Sequence, residues 1–142
     1  MRELVLDAKK ENLKVVFEFV TEELAPYVED KKLIRQIKLC VEEVFLNIAH
    51  YAYHPDTGPA KITMSVKKDG DGALVELSFI DHGYPFDPLE VKEPDLDAEL
   101  EDRQVGGLGI FLVRTTMDGV SYEYRNGENI LTLEKKLAEA LI

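Results

Sequence analysis

A carboxylate and an amide lie one helical turn apart in the apolar segment that runs from Val41 to Tyr53. Glu43 and Asn47 are separated by about 40° around a helix of about 100° per residue, so they share a face. An amide oxygen can ligate Mg²⁺ without adding charge, and a carboxylate can accept a proton or orient a nucleophile. The pair is therefore a candidate for chemistry on a nucleophile beside a metal ion. An i,i+4 hydrogen bond on an acidic helix surface is the alternative.

A second acidic residue, Asp81, follows an apolar run and begins a predicted turn that contains Gly83 and Pro85. A carboxylate at the end of a strand can accept hydrogen bonds from an amino group such as that of adenine, and a glycine lets a flat ligand approach the backbone. An Asx turn, in which the carboxylate binds its own backbone, explains the same residues equally well.

Glycines stand at the start of a short apolar segment, in the sequence Gly106-Gly107-Leu108-Gly109-Ile110. Without side chains, the amides of a first helical turn are open to a phosphate, and the helix dipole favours an anion there. The sequence contains neither a Walker A motif nor a complete GxGxxG, so close packing of the helix is the alternative.

Two helices follow a predicted strand from Glu3 to Leu6. We expect Asp7 to cap the first helix and Asp30 to cap the second, which extends to about Tyr53. The apolar residues predicted to face the core recur at helical spacing in both segments. They are Leu13, Val16, Phe17, Val20 and Leu24 in the first helix, and Leu33, Ile37, Val41, Val44 and Ile48 in the second.

The rest of the chain changes to a period of two, which predicts strands over 60–67, 73–80, 120–124 and 129–137. Two hairpin turns join them in pairs, at Asp69-Gly70-Asp71-Gly72 and at Asn126-Gly127. A short helix is predicted over 107–117. The segment from Tyr84 to Val105 has no periodicity and reads as a long loop, a candidate lid. This order predicts an α/β (α+β) two-layer sandwich, with a mostly antiparallel mixed sheet and helices on one face.

Composition narrows the classes of partner. The 142 residues fit one domain, and 45% of them are hydrophobic, which suits a folded core. Seventeen Lys and Arg against 28 Asp and Glu give a net charge of −11, so nucleic acid and membrane surfaces are unfavourable partners. The single Cys40 cannot form an internal disulfide, and the start of the chain has no long apolar run, so we expect a cytoplasmic protein.

Taken together and in this order, the motifs resemble the GHKL ATPase superfamily of gyrase, heat-shock chaperone and histidine kinase ATP-binding domains. The closest resemblance is to anti-sigma factor serine/threonine kinases, and it covers nearly the whole chain. It implies a Bergerat-type ATP-binding fold over residues 1–142, with an ATP lid at 84–106. The matching motifs are Glu43-xxx-Asn47, which looks like the N box, Asp81-x-Gly83-x-Pro85-Phe86-Asp87-Pro88, which looks like the first glycine box, and Arg103-xxx-Gly107-Leu108-Gly109-Ile110, which looks like the second.

The resemblance implies an ATP-dependent protein serine/threonine kinase that uses Mg²⁺. Glu43 would be the general base for a hydroxyl on a partner protein, and Asn47 would ligate Mg²⁺ at the ATP phosphates. Asp81 would recognise the adenine amino group. Gly83 would lie beside the ring, Gly107 and Gly109 would present amides to the phosphates once the lid closes, and Thr132 would lie near the adenine on the floor of the pocket. Phe86 and Leu108 are also implied to bind ATP.

The implied partners are a sigma factor and an antagonist protein, and a homodimer is a further expectation because members of the family often dimerise. The sequence departs from the family at Tyr51, where these kinases often have His; here the histidine is His50. Two other functions fit the same motifs. One is a nucleotide-gated protein-binding module without phosphoryl transfer, and the other is the output domain of a histidine kinase.

Overall fold

The computed structural model describes residues 1–70, 72–90 and 107–137 of the chain. Within these ranges the chain forms three α-helices and five strands, in the order β1, α1, α2, β2, β3, α3, β4 and β5. Their bounds are Arg2–Asp7 (β1), Leu13–Leu24 (α1), Lys31–Asn47 (α2), Pro59–Asp69 (β2), Gly72–Asp81 (β3), Gly107–Thr116 (α3), Gly119–Arg125 (β4) and Glu128–Leu137 (β5). A π-helical turn, Ile48–Ala52, continues α2.

The five strands form one sheet in the order β1-β2-β3-β5-β4. All four strand pairs are antiparallel, and the last residue of β3, Asp81, lies opposite Asn129 near the start of β5. Both predicted hairpins are present, and Asn126 and Gly127 have the positive φ angles (55° and 79°) that a two-residue hairpin turn requires. The predicted antiparallel α/β fold is thus confirmed.

The helices pack on one face of the sheet, since β2, β3 and β5 alternate buried and more exposed residues. The side chains that point to the helices are those of the even-numbered residues in β2 and of the odd-numbered residues in β3 and β5. The buried strand residues on this face include Ile62, Met64, Val75, Leu77, Phe79, Leu131 and Leu133, and they share one core with Val16, Val20, Ile37, Val41 and Phe45 of the helices.

The helix N-termini differ in how they are capped. Asp30 accepts hydrogen bonds from the amides of Lys32 (2.9 Å) and Leu33 (3.4 Å), so the predicted cap of α2 is confirmed. The predicted cap at Asp7 is wrong. Asp7 is still the last residue of β1, and a 3-10 turn, Lys10–Asn12, separates it from α1.

The prediction that Phe17 of α1 faces the core is also wrong. Phe17 is half-buried, with the ammonium of Lys38 4.8 Å from the centre of its ring, whereas Phe19 is buried. The two residues flank the apolar stripe on opposite sides, so helical spacing alone does not decide which of them is buried.

The predicted lid, residues 84–106, begins as an extended loop and a single 3-10 turn at Pro88–Glu90; its remainder, 91–106, lies outside the described residues. In the ranges that the structure describes, no helix combines the length and the apolar character needed to cross a membrane.

Candidate functional site

A cavity of about 370 Å³ opens between the end of α2, the start of α3 and the ends of β3 and β5. Its walls are mainly apolar, and its polar side chains lie at the sheet end and on α2. Three sequence-predicted site residues line it, namely Asn47, Asp81 and Phe86. The other lining residues are Val44, Ile48, Tyr51, Ala52, Phe79, Tyr84, Pro85, Pro88, Ile110, Tyr122, Asn129 and Leu131.

Asp81 reaches the cavity because it has the same parity as the buried residues of β3 and is the last residue of that strand. Its side chain is 94% buried, being 6% exposed. The Oδ1 atom accepts hydrogen bonds from the amide of Gly83 (2.8 Å) and from Nδ2 of Asn129 (2.9 Å). Among residues 1–70, 72–90 and 107–137, no protein group donates to Oδ2. The Asx turn is therefore real, but it uses only one of the two carboxylate oxygens.

Gly83 docks the loop after β3 onto the π-helical turn. A β-carbon built there would overlap the carbonyl of Ala52, and the amide of the next residue, Tyr84, donates to that carbonyl (3.1 Å). Gly83 does not line the cavity. Its lack of a side chain serves the approach of two backbone segments, which fixes the loop at the cavity mouth.

Glu43 lies one turn before Asn47 on α2, outside the cavity wall, and its carboxylate packs against Gly109 at the start of α3. No hydrogen bond joins the side chains of Glu43 and Asn47 in the described part of the chain, so the i,i+4 alternative is not observed. Burial raises the pKa of Glu43 above 4.5, and the nearby charge of Glu42 raises it further. A carboxylate with a raised pKa holds a proton more readily and suits a general base.

The glycine segment forms the first turn of α3, which begins at Gly107. The amides of Gly107, Leu108 and Gly109, in the first turn of a ten-residue helix, therefore have no partner within the helix itself. Ile110, the next residue, lines the cavity, and Gly109 lies against the Glu43 carboxylate. A helix start, where an anion is favoured, thus lies next to both a carboxylate and a cavity.

The placement of Thr132 on the floor of the cavity is wrong. Leu131 and Leu133 point to the helices, so the period of two turns Thr132 to the opposite face of the sheet. There its hydroxyl is 2.9 Å from that of Ser78 on β3, in a cross-strand hydrogen bond.

Asn129 and Tyr122 are site residues that sequence reasoning missed. Asn129 is buried, and its Oδ1 accepts from the hydroxyl of Tyr122 on β4. A signal was available: Asn129 has the same parity as Leu131 and Leu133, so the alternation places a polar residue on an apolar face of the sheet.

The fold and the cavity define a small-ligand-binding α/β domain, with helices on one face of an antiparallel sheet and a buried carboxylate at the sheet end. The chain belongs to the family described as histidine kinase-like ATPase domain, which matches residues 6–135.

Two protein kinases are similar in sequence. The serine/threonine-protein kinase BtrW of Bordetella bronchiseptica is 36% identical over 97 residues, which are 68% of this chain and 66% of that kinase. The serine-protein kinase RsbW of Bacillus cereus is 28% identical over 102 residues, 69% of this chain and 61% of that kinase. The chain thus matches slightly under two thirds of the length of these relatives. Among solved structures, the histidine kinase AdeS of Acinetobacter baumannii aligns with a TM-score of 0.46 at 14% identity, over 98% of this chain and 69% of that one.

Proposed function

We propose that this protein binds ATP with Mg²⁺ in the cavity and transfers the γ-phosphoryl group to a serine or threonine hydroxyl of a partner protein. The observation that carries the proposal is the grouping of Asn47 and Asp81 in one cavity, with Glu43 one turn from Asn47 and against the start of α3. Membership of an ATPase-domain family and similarity to two proteins named as serine or threonine kinases support the same function.

The lining of the cavity suits a purine base. Apolar side chains such as Ile48, Phe79 and Leu131 can cover a flat ring, and the Oδ2 atom of Asp81 is an acceptor for the 6-amino group of adenine. Phe86 is 59% exposed at the cavity mouth and can cover the outer side of the ring. A buried carboxylate oxygen without a protein donor is costly, and a ligand that donates to it removes that cost.

Asn47 is the residue that would hold Mg²⁺. Residues 1–70, 72–90 and 107–137 contain no group of three or more His, Cys, Asp or Glu that could form a protein cage for a metal ion. Mg²⁺ at nucleotide sites commonly takes only one or two protein ligands and completes its shell with phosphates and water, so a single amide oxygen fits. When bound, the ion neutralises negative charge on the transferring phosphate.

Glu43 would act as the general base. The substrate hydroxyl gives its proton to the Glu43 carboxylate while its oxygen forms a bond to the γ-phosphorus, and the bond from that phosphorus to the bridging oxygen breaks to release ADP. The amides of Gly107, Leu108 and Gly109 would hold the phosphates at the start of α3. Positioning and charge neutralisation supply most of the catalysis in such a transfer.

The partners follow from the resemblance to anti-sigma factor kinases. We propose that an antagonist protein carries the acceptor hydroxyl and that a sigma factor is the second partner, so that phosphorylation regulates transcription. The net charge of −11 favours docking onto a basic surface of such a partner. A role in transcription would put the protein in the cytoplasm, and a homodimer is a further proposal from the same resemblance.

The test is transfer of label from γ-labelled ATP to proteins encoded beside this one, with Glu43→Gln and the neighbouring Glu42→Gln as matched variants. We expect Glu43→Gln to lower the transfer rate at least about 100-fold, and Glu42→Gln to lower it less than about tenfold. Calorimetry should find ATP affinity in both variants within about threefold of the wild type. Transfer by Glu43→Gln at the wild-type rate contradicts the role of Glu43, and ATP binding by the wild type without any transfer favours the binding module.

A further inference from the structure

We propose that Asn129 is a positioning residue that selects the base: by holding the Asp81 carboxylate through one oxygen, it leaves the other oxygen as an acceptor for a ligand amino group. The inference rests on the proposed function, because the ligand in question is the base of a nucleoside triphosphate. It assigns to this chain a determinant of base selectivity that acts without a hydrogen bond of its own to the base.

The carboxamide of Asn129 joins the end of β3, the following loop and β4. Its Nδ2 atom donates to Asp81 Oδ1 (2.9 Å), to the carbonyl of Tyr84 (2.9 Å) and, at 3.3 Å, to the carbonyl of Gly83. Its Oδ1 atom accepts from the amide of Phe86 (3.2 Å) and from the hydroxyl of Tyr122. One side chain therefore ties the buried carboxylate to the loop at the cavity mouth.

These contacts use the full hydrogen-bonding capacity of the Asn129 side chain. An amide nitrogen has two hydrogens and an amide oxygen has two lone pairs, and both sets are committed to protein groups. Asn129 is also only 7% exposed. Although it lines the cavity, it has no donor or acceptor left for a ligand, so any effect on binding must act through its partners.

The principal partner is Asp81. Its Oδ1 atom receives two donors, from Gly83 and from Asn129, and this fixes the plane of the carboxylate. Oδ2 then offers only lone pairs to the cavity. An adenine 6-amino group can donate to it, whereas a 6-oxo group presents lone pairs to lone pairs. A site built around a positioned polar group rejects the mismatched ligand strongly.

Without the donor from Asn129, Asp81 Oδ1 retains only the amide of Gly83, and the carbonyl of Tyr84 loses its amide partner. The carboxylate can then rotate, and Oδ2 no longer has a fixed direction. We therefore expect loss of discrimination at position 6 of the base rather than a uniform loss of affinity.

The experiment compares ATP with inosine 5′-triphosphate, which carries oxygen in place of the 6-amino group, by calorimetry on the full chain. Asn129→Leu keeps the approximate size of the side chain and removes both its donor and its acceptor without adding a charge beside Asp81. Asn129→Ala removes the same groups together with the bulk of the side chain. Ser78→Ala is the matched control, because it breaks a hydrogen bond between the same two strands on the other face of the sheet. Thermal unfolding identifies the variants that fold.

We expect the wild type and Ser78→Ala to bind ATP at least about tenfold more tightly than the inosine nucleotide. In Asn129→Leu and Asn129→Ala this ratio should fall at least about fivefold, chiefly through weaker ATP binding. A folded Asn129 variant that keeps the wild-type ratio, or that loses both affinities equally, overturns the inference. So does a wild type that binds both nucleotides equally well, which leaves the proposed function standing. A wild type that binds neither overturns the proposed function as well.

Discussion

The carboxylate of Glu43 on α2 packs directly over Gly109, the third residue of α3. A β-carbon built at Gly109 would overlap Oε2 of Glu43 and come within 3.0 Å of Cδ. Contact between these two helices at this point therefore depends on the absence of a side chain on α3. Because the overlapping atoms are the end of a flexible side chain, a larger residue at 109 would displace the Glu43 carboxylate before it moved either helix.

Gly109→Ala should separate stability from activity. Alanine favours a helix over glycine by about 1 kcal/mol, which offsets the cost of moving the Glu43 side chain, so the free energy of unfolding should change by less than about 1 kcal/mol. Phosphoryl transfer should fall at least about tenfold because the base is displaced. Urea unfolding and the transfer assay measure the two effects.

A double-mutant cycle tests the contact itself. In a Glu43→Ala background nothing remains for the new methyl group to displace, so Gly109→Ala should there raise the free energy of unfolding by about 1 kcal/mol. The two substitutions should thus be non-additive. An identical effect of Gly109→Ala in both backgrounds would show that the two side chains do not meet.

The pH dependence of stability should reveal the raised pKa of Glu43. The Glu43 carboxyl holds its proton more tightly in the folded state than in the unfolded chain. Protonated Glu43 therefore makes its full contribution to stability below pH 4.5, and this contribution is lost as the pH rises through the pKa of Glu43 in the folded state. Glu43→Gln, which never ionises, should be more stable than the wild type at about pH 7, and the difference should shrink toward about pH 4. Urea unfolding across this range measures it.

Glu42 supplies the control for that prediction. Burial is the larger cause of the raised pKa and the charge of Glu42 the smaller one. In a Glu42→Gln background, the stabilisation gained from Glu43→Gln near neutral pH should therefore be smaller but still present. If it disappeared, charge repulsion rather than burial would be the main cause. If Glu43→Gln destabilised the protein near neutral pH, the raised pKa itself would be wrong.

Tyr53 should matter for stability in a way that Tyr51 does not. The hydroxyl of Tyr53 donates to the carbonyl of Pro59 (2.6 Å) and accepts from the amide of His82 (2.7 Å), which links the end of the π-helical turn to β2 and to the first residue after β3. Tyr53→Phe should cost about 1 kcal/mol of unfolding free energy. Tyr51 makes no side-chain hydrogen bond within the described ranges, so Tyr51→Phe should change it by less than about 0.5 kcal/mol. Equal losses in thermal unfolding would contradict this assignment.

Local patterns were enough to predict the elements and part of the site. The period of two and the Asn126-Gly127 turn determine the second hairpin, since a tight hairpin needs residues that tolerate positive φ. Helical geometry placed Glu43 and Asn47 on one face of α2, and the end of the apolar run placed Asp81 at the end of a strand. Each of these inferences needs only neighbours along the chain.

Contacts between elements could not be predicted in the same way. The packing of Glu43 over Gly109 depends on how α2 and α3 approach each other, which no single periodicity specifies. The bond from Asn129 to Asp81 depends on the register of β5 against β3. Thr132 is the instructive error: resemblance assigned it to the cavity, whereas the alternation of its own strand turns it away.

Asp81→Asn should reverse the preference of the cavity between the two nucleotides rather than abolish binding. Two N–H groups, from Gly83 and Asn129, point at the Oδ1 atom of Asp81. An amide at this position must therefore turn its oxygen toward them, and its NH₂ group then takes the place of Oδ2 and faces the cavity. The affinity for ATP should fall at least about tenfold, because this NH₂ group would meet the 6-amino group of adenine, which is also a donor. The affinity for inosine 5′-triphosphate should rise, because its 6-oxo group is an acceptor.

Calorimetry with both nucleotides measures the reversal, and Asp87→Asn is the matched control. Asp87 also accepts a backbone amide two residues ahead, from Leu89 at 2.8 Å, but it does not line the cavity, so its substitution should leave both affinities unchanged. Equal losses of both nucleotides in Asp81→Asn would mean that the amide is free to turn. An amide whose oxygen accepts from two donors has a single favourable orientation, so that result would contradict the claim that the hydrogen bonds to Oδ1 fix the group that the base meets.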